Sequence, residues 1–406
     1  MLRAIKAGRL LTPSEQIPKA VVLIDNGVVM ASGPAYKTPV PAGARVTDFP
    51  NGVLAPGFVD IHIHGADGHD AMEPTPDALV AIERFLAGHG VTSYCPTTIT
   101  APLTLTLSVL GKLADWIESR STQDEPRAFP VGIHMEGPFL SPAKRGVQPE
   151  EYLLEGSIET FQRLWEAARG HIVNMTIAPE VPGAMDVIRE ASRLGVCMSF
   201  GHTNADSNVA QQAISAGARH ATHTFNGMRA LDHREPGVLG SILTNEHLTA
   251  EIIADGVHVH PEIVKLFVRA KGNERTVLVT DAISATGKRD GHYRLGTFEV
   301  EVKGSICRSA DGRLAGSVLT LDQAVRNVMR FTRCNLKKAV RFATLNPCGV
   351  IKARHKGTLR PGADADMVVL SPDGQVIHTI IAGQDFAPDA GTTMRGVRET
   401  HSTQSS

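Results

Sequence analysis

Eight short apolar segments of β type alternate with segments of helical pattern over most of the chain. This alternation predicts parallel strands joined by helices, and eight strand–helix units is the number in a (β/α)8 barrel. An open, doubly wound sheet is the competing arrangement, but none of the segments is followed by a Gly-x-Gly-x-x-Gly motif. We therefore predict an α/β protein built on a (β/α)8 TIM barrel. The predicted barrel strands are residues 58–65, 91–98, 131–136, 172–178, 196–202, 220–225, 249–255 and 276–281.

The segments outside the barrel predict a smaller β domain built from both ends of the chain. Near the amino end, the turn signal Asp25-Asn26-Gly27 separates two β-type runs and predicts a hairpin. Near the carboxyl end, residues 365–370 are again β-like and could pair with the N-terminal strands. We predict a barrel over residues 57–354 and a discontinuous β-sandwich domain over residues 1–56 and 355–406.

Charge and cysteine content exclude several classes of protein. The chain has 41 Lys plus Arg and 42 Asp plus Glu residues, so no net field favours nucleic acid or an anionic membrane as a partner. No run approaches the roughly 18 apolar residues of a membrane span, and no signal-peptide core is present. The five cysteines without a Cys-x-x-Cys motif indicate a reducing compartment, so we expect a cytoplasmic protein. Residues after Pro388 are expected to form a polar tail.

The first predicted barrel strand carries two histidines, His62 and His64. Because successive side chains of a strand point to opposite faces, both imidazoles project to the same face and could share a metal ion. A pair of core histidines, each with its own hydrogen-bond partner, is the alternative interpretation of so short a motif.

Four further polar side chains lie at or near the carboxyl ends of other predicted strands. The carboxyl ends of barrel strands converge on one face, where barrel enzymes place their catalytic residues. Imidazole nitrogens and carboxylate oxygens are the ligands of zinc or iron hydrolytic sites, which keep one coordination position open for water. The joint pattern therefore predicts a metal-dependent hydrolytic centre on this face. The four residues are Glu136, His202, His223 and Asp281.

Short motifs between about residue 50 and residue 370 carry a resemblance to a known family. In composition and order they are similar to the amidohydrolase superfamily, and within it to the N-acetylglucosamine-6-phosphate deacetylase family. The resemblance implies a barrel hydrolase that removes the acetyl group of N-acetyl-D-glucosamine 6-phosphate, with N-acetylgalactosamine 6-phosphate or another small amide as the alternative substrate. The motifs are His134-Met135-Glu136-Gly137-Pro138-Phe139, Gly201-His202-Thr203, His223-Thr224-Phe225-Asn226-Gly227-Met228, Arg234-Glu235-Pro236-Gly237, Ala254-Asp255-Gly256-Val257-His258, Val279-Thr280-Asp281-Ala282, Leu314-Ala315-Gly316-Ser317 and Ala343-Thr344-Leu345-Asn346-Pro347.

The resemblance also implies the metal ligands. Glu136, His202 and His223 match the principal ligands of the family, and His62 and His64 match a second metal position that some members keep. The implied cofactor is a divalent metal ion, with zinc preferred over iron, cobalt or manganese, and with one or two ions per subunit. A scaffold protein that keeps the barrel but has lost catalysis is the alternative class, and the retention of Glu136, His202, His223 and Asp281 argues against it.

The same resemblance assigns the remaining site residues. Asp281 matches the general acid/base, and His258 and Arg234 match contacts to the sugar phosphate. Arg234 would reach into the site of the neighbouring subunit, which implies a homodimer. Many members have histidine where this chain has Gln148, and an amide cannot carry a proton as an imidazole does. The rest of the implied substrate pocket is Val147, Gln148, Asn226, Gly227, Leu314, Ala315 and Gly316.

Overall fold

The computed structural model describes residues 2–388 and the backbone of residues 398–399. The polar tail predicted after Pro388 therefore lies outside the described residues, apart from that pair. Among the helices of the described part, none is both long and apolar enough to cross a membrane.

The N-terminal strands form the hairpin that the sequence predicts. The second and third strands pair antiparallel, and the turn between them has Asn26 at φ 48° and Gly27 at φ 79°. Asparagine and glycine tolerate this left-handed region, which is why an Asn-Gly pair marks such a turn. The first four strands are β1 (Arg3–Leu11), β2 (Gln16–Asp25), β3 (Val28–Pro34) and β4 (Arg45–Pro56).

Parallel strands then alternate with helices, as predicted. The first helix begins at Pro76, and the Thr75 side chain caps it by accepting a hydrogen bond from Ala78 N over 3.3 Å. Two short 3₁₀ helices cover Pro142–Lys144 and Glu150–Tyr152. The other elements are β5 (Phe58–Ile63), β6 (Gly65–Ala66), β7 (His69–Asp70), α1 (Pro76–Gly88), β8 (Val91–Thr98), α2 (Leu103–Ser119), β9 (Phe129–Pro130), β10 (Ile133–Glu136), α3 (Ile158–Ala167), β11 (Ile172–Ile177), α4 (Ala184–Arg193), β12 (Cys197–Phe200), α5 (Ser207–Ala216), β13 (His220–Ala221), α6 (Gly237–Thr244), β14 (Ala250–Ile253), α7 (Pro261–Arg275) and β15 (Thr276–Val279).

Hydrogen bonds join the main strands into a ring. β5, β8, β10, β11, β12 and β13 are successive neighbours in one parallel sheet, and β14 pairs parallel with β15. Ala221 N donates to Thr249 O over 3.1 Å on one side of that pair, and Asp281 N donates to His62 O over 2.9 Å on the other. The fold is therefore a TIM-like barrel, in which the carboxyl ends of the strands meet on one face.

The sixth barrel strand is shorter than the sequence predicts. Of residues 220–225, only His220–Ala221 are in strand conformation. The backbone then leaves the extended region, since His223 has φ 26° and Phe225 has φ 82°. An apolar run does not reveal this change of direction, so the predicted end of the strand was wrong.

A three-stranded antiparallel sheet follows the eighth barrel strand and lies outside the predicted elements. Alternation of apolar and charged residues over Phe298–Lys303 is typical of such a strand. Gly296, in its first turn, has φ 54°, and a Cβ there would lie 2.0 Å from Ile99 Cδ1. Only glycine fits this turn, which packs closely on the barrel. The strands are β16 (Gly291–Leu295), β17 (Phe298–Lys303) and β18 (Ile306–Ser309), followed by α8 (Leu321–Thr332), α9 (Leu336–Phe342) and α10 (Leu345–Val350).

The carboxyl end of the chain returns to the N-terminal strands, as residues 365–370 predict. Its first strand pairs antiparallel with β4, which itself pairs parallel with β1. Strands from both ends thus form one sheet, which has an apolar core of its own that includes Ile5, Phe49 and Val369. These last strands are β19 (Met367–Leu370), β20 (Val376–Ile381), β21 (Gln384–Asp385) and β22 (Arg398–Glu399).

Candidate metal centre and substrate cavity

Backbone turns at the carboxyl ends of the barrel strands place the predicted metal centre. Glu136 is the last residue of β10, and His202, His223 and Asp281 each lie two residues beyond a strand. These last three have φ values of 46°, 26° and 51°, a left-handed region that is costly for residues other than glycine and is concentrated at functional sites. All four side chains line one cavity.

Glu136, His202 and His223 form the first group of donor atoms. Glu136 Oε1 lies 3.2 Å from His202 Nε2 and 3.0 Å from His223 Nε2, and the two Nε2 atoms are 3.1 Å apart. His202 Nδ1 lies 3.0 Å from the Lys144 carbonyl oxygen and therefore carries the proton, which leaves its Nε2 lone pair facing the group. Two imidazole nitrogens and a carboxylate oxygen this close together fit a divalent cation.

A second group, His62, His64 and Glu136, shares its carboxylate with the first. The Nε2 atoms of the two histidines are 3.3 Å apart, in agreement with the prediction that the strand directs both imidazoles to one face. Glu136 Oε2 lies 3.6 Å from His64 Nε2. Asp281 Oδ1 lies 3.4 Å from His62 Nε2 and 3.1 Å from His64 Nε2. The donor atoms of this group also fit one cation, with Glu136 between the two positions.

Burial and neighbouring charges set the protonation of the carboxylates. Burial alone would raise the pKa of Glu136, but His202 and His223 hold it well below its ordinary value. Burial would likewise raise the pKa of Asp281, but His62, His64 and His223 together outweigh burial and lower it. Both groups are therefore ionised at neutral pH and favour positive charge between them.

Gln148 is held by hydrogen bonds at both ends of its amide. Nε2 donates to Glu136 Oε2 over 2.6 Å, and Oε1 accepts from Thr100 N over 2.8 Å. One N–H of the amide remains for a ligand. The residue that departs from the family pattern therefore contacts a predicted metal ligand directly.

Most of the predicted substrate residues line the same cavity, and two do not. Ala315 is buried behind the wall, and Arg234 is exposed and lies outside the cavity of its own chain. His258 Nδ1 lies 2.7 Å from Asp255 Oδ2, which fixes the ring and leaves Nε2 for a ligand. The predicted residues that line the cavity are Val147, Gln148, Asn226, Gly227, His258, Leu314 and Gly316.

Glu251, in β14, is a part of the centre that the sequence prediction missed. It is fully buried, and its Oε2 accepts a hydrogen bond from His62 Nδ1 over 2.9 Å. Burial would lower the pKa of His62, but the negative charges of Glu251, Asp281 and Glu136 raise it, so this position favours a positive charge, which a bound cation would supply in place of a proton. A charged residue inside an apolar strand is seldom fully buried without a partner, and this was the available signal.

The apolar wall of the cavity was also missed. Ile99 follows β8, and Leu295 and Phe298 belong to the β16–β17 hairpin. Gly296 N donates to Asp70 Oδ2 over 2.7 Å and so fastens the turn of this hairpin to the barrel. The sequence analysis did not predict this hairpin, so it did not predict that Leu295 and Phe298 line the cavity.

A TIM-like barrel with buried imidazole and carboxylate donors at the carboxyl ends of its strands defines the class, a metal-binding barrel hydrolase. Residues 53–385 match the Amidohydrolase family. The chain belongs to this family, and the resemblance carried by its motifs is confirmed.

Similar proteins include deacetylases of two phosphorylated amino sugars. The N-acetylglucosamine-6-phosphate deacetylase of Bacillus subtilis (strain 168) is 35% identical over 382 residues, covering 93% of this chain and 96% of the relative. The N-acetylgalactosamine-6-phosphate deacetylase of Escherichia coli O157:H7 is 35% identical over 385 residues, covering 95% and 99%. An aspartate-to-alanine mutant of N-acetyl-D-glucosamine-6-phosphate deacetylase from Mycobacterium smegmatis, solved in complex with N-acetyl-D-glucosamine-6-phosphate, has a TM-score of 0.89 at 32% identity, covering 95% of this chain and 99% of its own.

Proposed function

We propose that the chain is a metal-dependent deacetylase that hydrolyses N-acetyl-D-glucosamine 6-phosphate to glucosamine 6-phosphate and acetate. The observation that carries this proposal is the convergence of Glu136, His202 and His223, with Asp281 beside them, in one cavity. The relatives from Bacillus and Mycobacterium support the choice of sugar. The relative from Escherichia coli is as similar as that from Bacillus, so N-acetylgalactosamine 6-phosphate is the second candidate substrate.

We assign the metal ligands from the two groups of donor atoms. Glu136, His202 and His223 hold the first position, and His62 and His64 with Glu136 hold a second, for one or two ions per subunit. The mixed nitrogen and oxygen donors favour zinc, with iron, cobalt and manganese as alternatives. Such an ion would polarise a carbonyl oxygen and lower the pKa of a bound water molecule to about 7.

Asp281 transfers the proton in the proposed reaction. Burial would raise its pKa, but His62 and His64 lower it, so Asp281 is a carboxylate that can accept a proton from the attacking water. The protonated side chain then donates this proton to the departing amine nitrogen, which regenerates the carboxylate. Its Oδ1 lies 3.1 Å from His64 Nε2, so the group that transfers the proton is held against the metal centre.

The other cavity residues orient the sugar phosphate. His258 is assigned to the phosphate, because its hydrogen bond to Asp255 fixes the ring and presents Nε2 to the cavity as the remaining polar atom. The remaining N–H of Gln148 is assigned to the acetyl oxygen, where negative charge develops during attack. The other assigned contacts are Val147, Asn226, Gly227, Leu314 and Gly316, which line the cavity, while Ala315 lies behind them.

Steady-state kinetics on a panel of N-acetyl hexosamines tests this function. The panel contains the gluco and galacto epimers, each with and without a 6-phosphate, and acetate release is measured. The value of kcat/KM should be roughly 10²-fold or more higher for a phosphorylated sugar, because each hydrogen bond to a charged group contributes about 1.5–3 kcal/mol. Release from neither phosphorylated sugar would contradict the proposal, and preference for the galacto epimer would select the second candidate.

The hydrogen bond from the Gln148 amide to Glu136 should strengthen metal binding. Gln148→Leu removes both hydrogen bonds at similar volume and should weaken zinc binding roughly 10–100-fold, the usual cost of losing an outer partner of a ligand. Gln148→His retains a donor and should lose less. Competition with a chelator measures the affinity, and Gln323→Leu on α8 serves as a control. Wild-type affinity in Gln148→Leu would show that the contact with Glu136 does not stabilise the ligand.

We propose a homodimer in which Arg234 of each subunit completes the cavity of the other. Arg234 is exposed, and its guanidinium forms no hydrogen bond or ion pair with the described residues. A guanidinium suits bidentate, charge-assisted binding of a phosphate. The planar group would therefore meet the phosphate of a substrate bound in the partner chain.

Subunit mixing tests the shared site. When Asp281→Asn and Arg234→Ala chains are unfolded, mixed equally and reassembled, about half of the dimers are mixed, and in each of these one site has both functional groups. About one quarter of all sites should then recover wild-type activity. If dimers re-form but activity stays at the average of the two mutants, Arg234 acts within its own chain.

The division of the chain into two domains is also a proposal. A barrel over residues 57–354 and a β-sandwich domain over residues 1–56 and 355–406 are supported by the sheet that both ends share and by its separate apolar core. Gly57 lies at the boundary, where a Cβ would be 2.2 Å from Thr92 Oγ1. The two domains would therefore pack closely at this point.

A further inference from the structure

Glu251 is a buried carboxylate whose side-chain hydrogen bonds, within residues 2–388, all come from histidines. Its Oε2 accepts from His62 Nδ1 over 2.9 Å and from the His223 backbone N–H over 3.0 Å. Its Oε1 lies 3.1 Å from His220 Nε2. Within the described part of the chain, no lysine or arginine forms an ion pair with this carboxylate. The buried charge is therefore compensated by histidine protons alone, two of which belong to predicted metal ligands.

The contact with Glu251 decides which nitrogen of His62 can bind an ion. A carboxylate only accepts hydrogen bonds, so the proton of His62 lies on Nδ1 and the Nε2 lone pair is free for a metal. Nε2 lies 3.3 Å from His64 Nε2 and 3.4 Å from Asp281 Oδ1. A carboxylate bonded to the far nitrogen also makes the imidazole a more basic ligand.

His202, in the first metal position, has a comparable arrangement. Its Nδ1 faces the Lys144 carbonyl oxygen at 3.0 Å, which leaves Nε2 toward Glu136. The partner behind His62 differs in that it carries a full negative charge. The negative charge of Glu251, hydrogen-bonded to His62, favours the binding of a cation by His62.

We propose that Glu251 is the positioning residue for a second metal ion, bound by His62, His64 and Glu136. This inference rests on the proposed metal dependence and extends it to the number of ions that each chain holds. Glu251 sets the tautomer of His62 and adds a negative charge behind it, so the second position should lose affinity when Glu251 is changed. The first position should lose little affinity. Among its three ligands Glu251 bonds only to His223, and there only to the backbone N–H.

Titration of the chelator-treated enzyme with Co²⁺, followed by visible absorption and elemental analysis, measures the two positions separately. Wild type should bind two ions per chain. Glu251→Gln keeps an acceptor but loses the charge, and it should weaken the second ion about 10-fold; Glu251→Leu loses both and should weaken it about 100-fold. The first ion should keep near wild-type affinity. In a His64→Ala background, where the second position lacks a ligand, Glu251→Gln should change neither stoichiometry nor affinity.

Glu83→Gln is the matched control, because Glu83 is equally buried but bonds to Arg127 and Trp116, away from the metal centre. It should lower Tm without changing either affinity. The proposal would be overturned if the wild type bound only one ion. It would also be overturned if Glu251→Gln weakened both positions equally, or weakened neither. These outcomes decide the question even if Glu251→Leu does not fold. The titration contains no sugar. Wild type that binds two Co²⁺ ions but releases no acetate would therefore overturn only the proposed function.

Discussion

Replacing Asp281 by asparagine should lower kcat for acetate release by roughly 10²–10⁴-fold, the contribution of a positioned general acid/base. Asparagine has nearly the same shape but cannot accept a proton and return it. Because Asp281 Oδ1 lies 3.1 Å from His64 Nε2 rather than inside the first donor group, most of the bound metal should remain. Single-turnover kinetics and elemental analysis on the same preparation measure both effects.

Asp366→Asn is the corresponding control. Asp366 is also buried, but it forms an ion pair with Lys356 beside the terminal sheet, at 2.6 Å. This variant should lower Tm and leave kcat close to wild type. A near-normal rate in Asp281→Asn would show that the proton passes through another group.

Glu136→Gln should lose bound metal and activity together. Glu136 belongs to both donor groups, and its Oε1 lies 3.0 Å from His223 Nε2 and 3.2 Å from His202 Nε2. The amide lacks the negative charge that offsets the charge of the ion. Loss of an outer partner costs a ligand about 10–100-fold in affinity, so loss of the ligand charge itself should cost roughly 10²-fold or more.

Chelator competition and elemental analysis measure this loss, and acetate release is followed in parallel. Glu83→Gln replaces another fully buried glutamate and should keep both metal and activity. If purified Glu136→Gln retained its full metal content, the assignment of the first position would be wrong.

Local patterns predicted the elements that support the site. Side chains alternate along a strand, which predicts that His62 and His64 share a face, and their Nε2 atoms lie 3.3 Å apart. Asp25-Asn26-Gly27 marked the hairpin between β2 and β3, because asparagine and glycine tolerate the positive φ values of such a turn. Such features involve neighbours in the chain, so their chemistry can be recognised without the fold.

Other features depend on contacts between distant segments. The turn at His223 is stabilised by a hydrogen bond from its N–H to Glu251, in the next strand of the ring. The β16–β17 hairpin contributes Leu295 and Phe298 to the cavity, and its turn at Gly296 packs against Ile99 and donates a hydrogen bond to Asp70. Neither contact leaves a periodic signal in the residues that make it.

Local sequence patterns were enough to predict the class of fold, the faces of the strands and the donor residues that we propose as metal ligands. The tertiary structure alone decided which atoms meet: His62 Nδ1 contacts Glu251, 189 residues away, and Gln148 contacts Glu136 rather than standing free. The physical reason is that the direction of a side chain from its own strand follows from backbone periodicity. Distances between side chains on different strands depend instead on how the ring closes and on turns such as that at Asp281, with φ 51°.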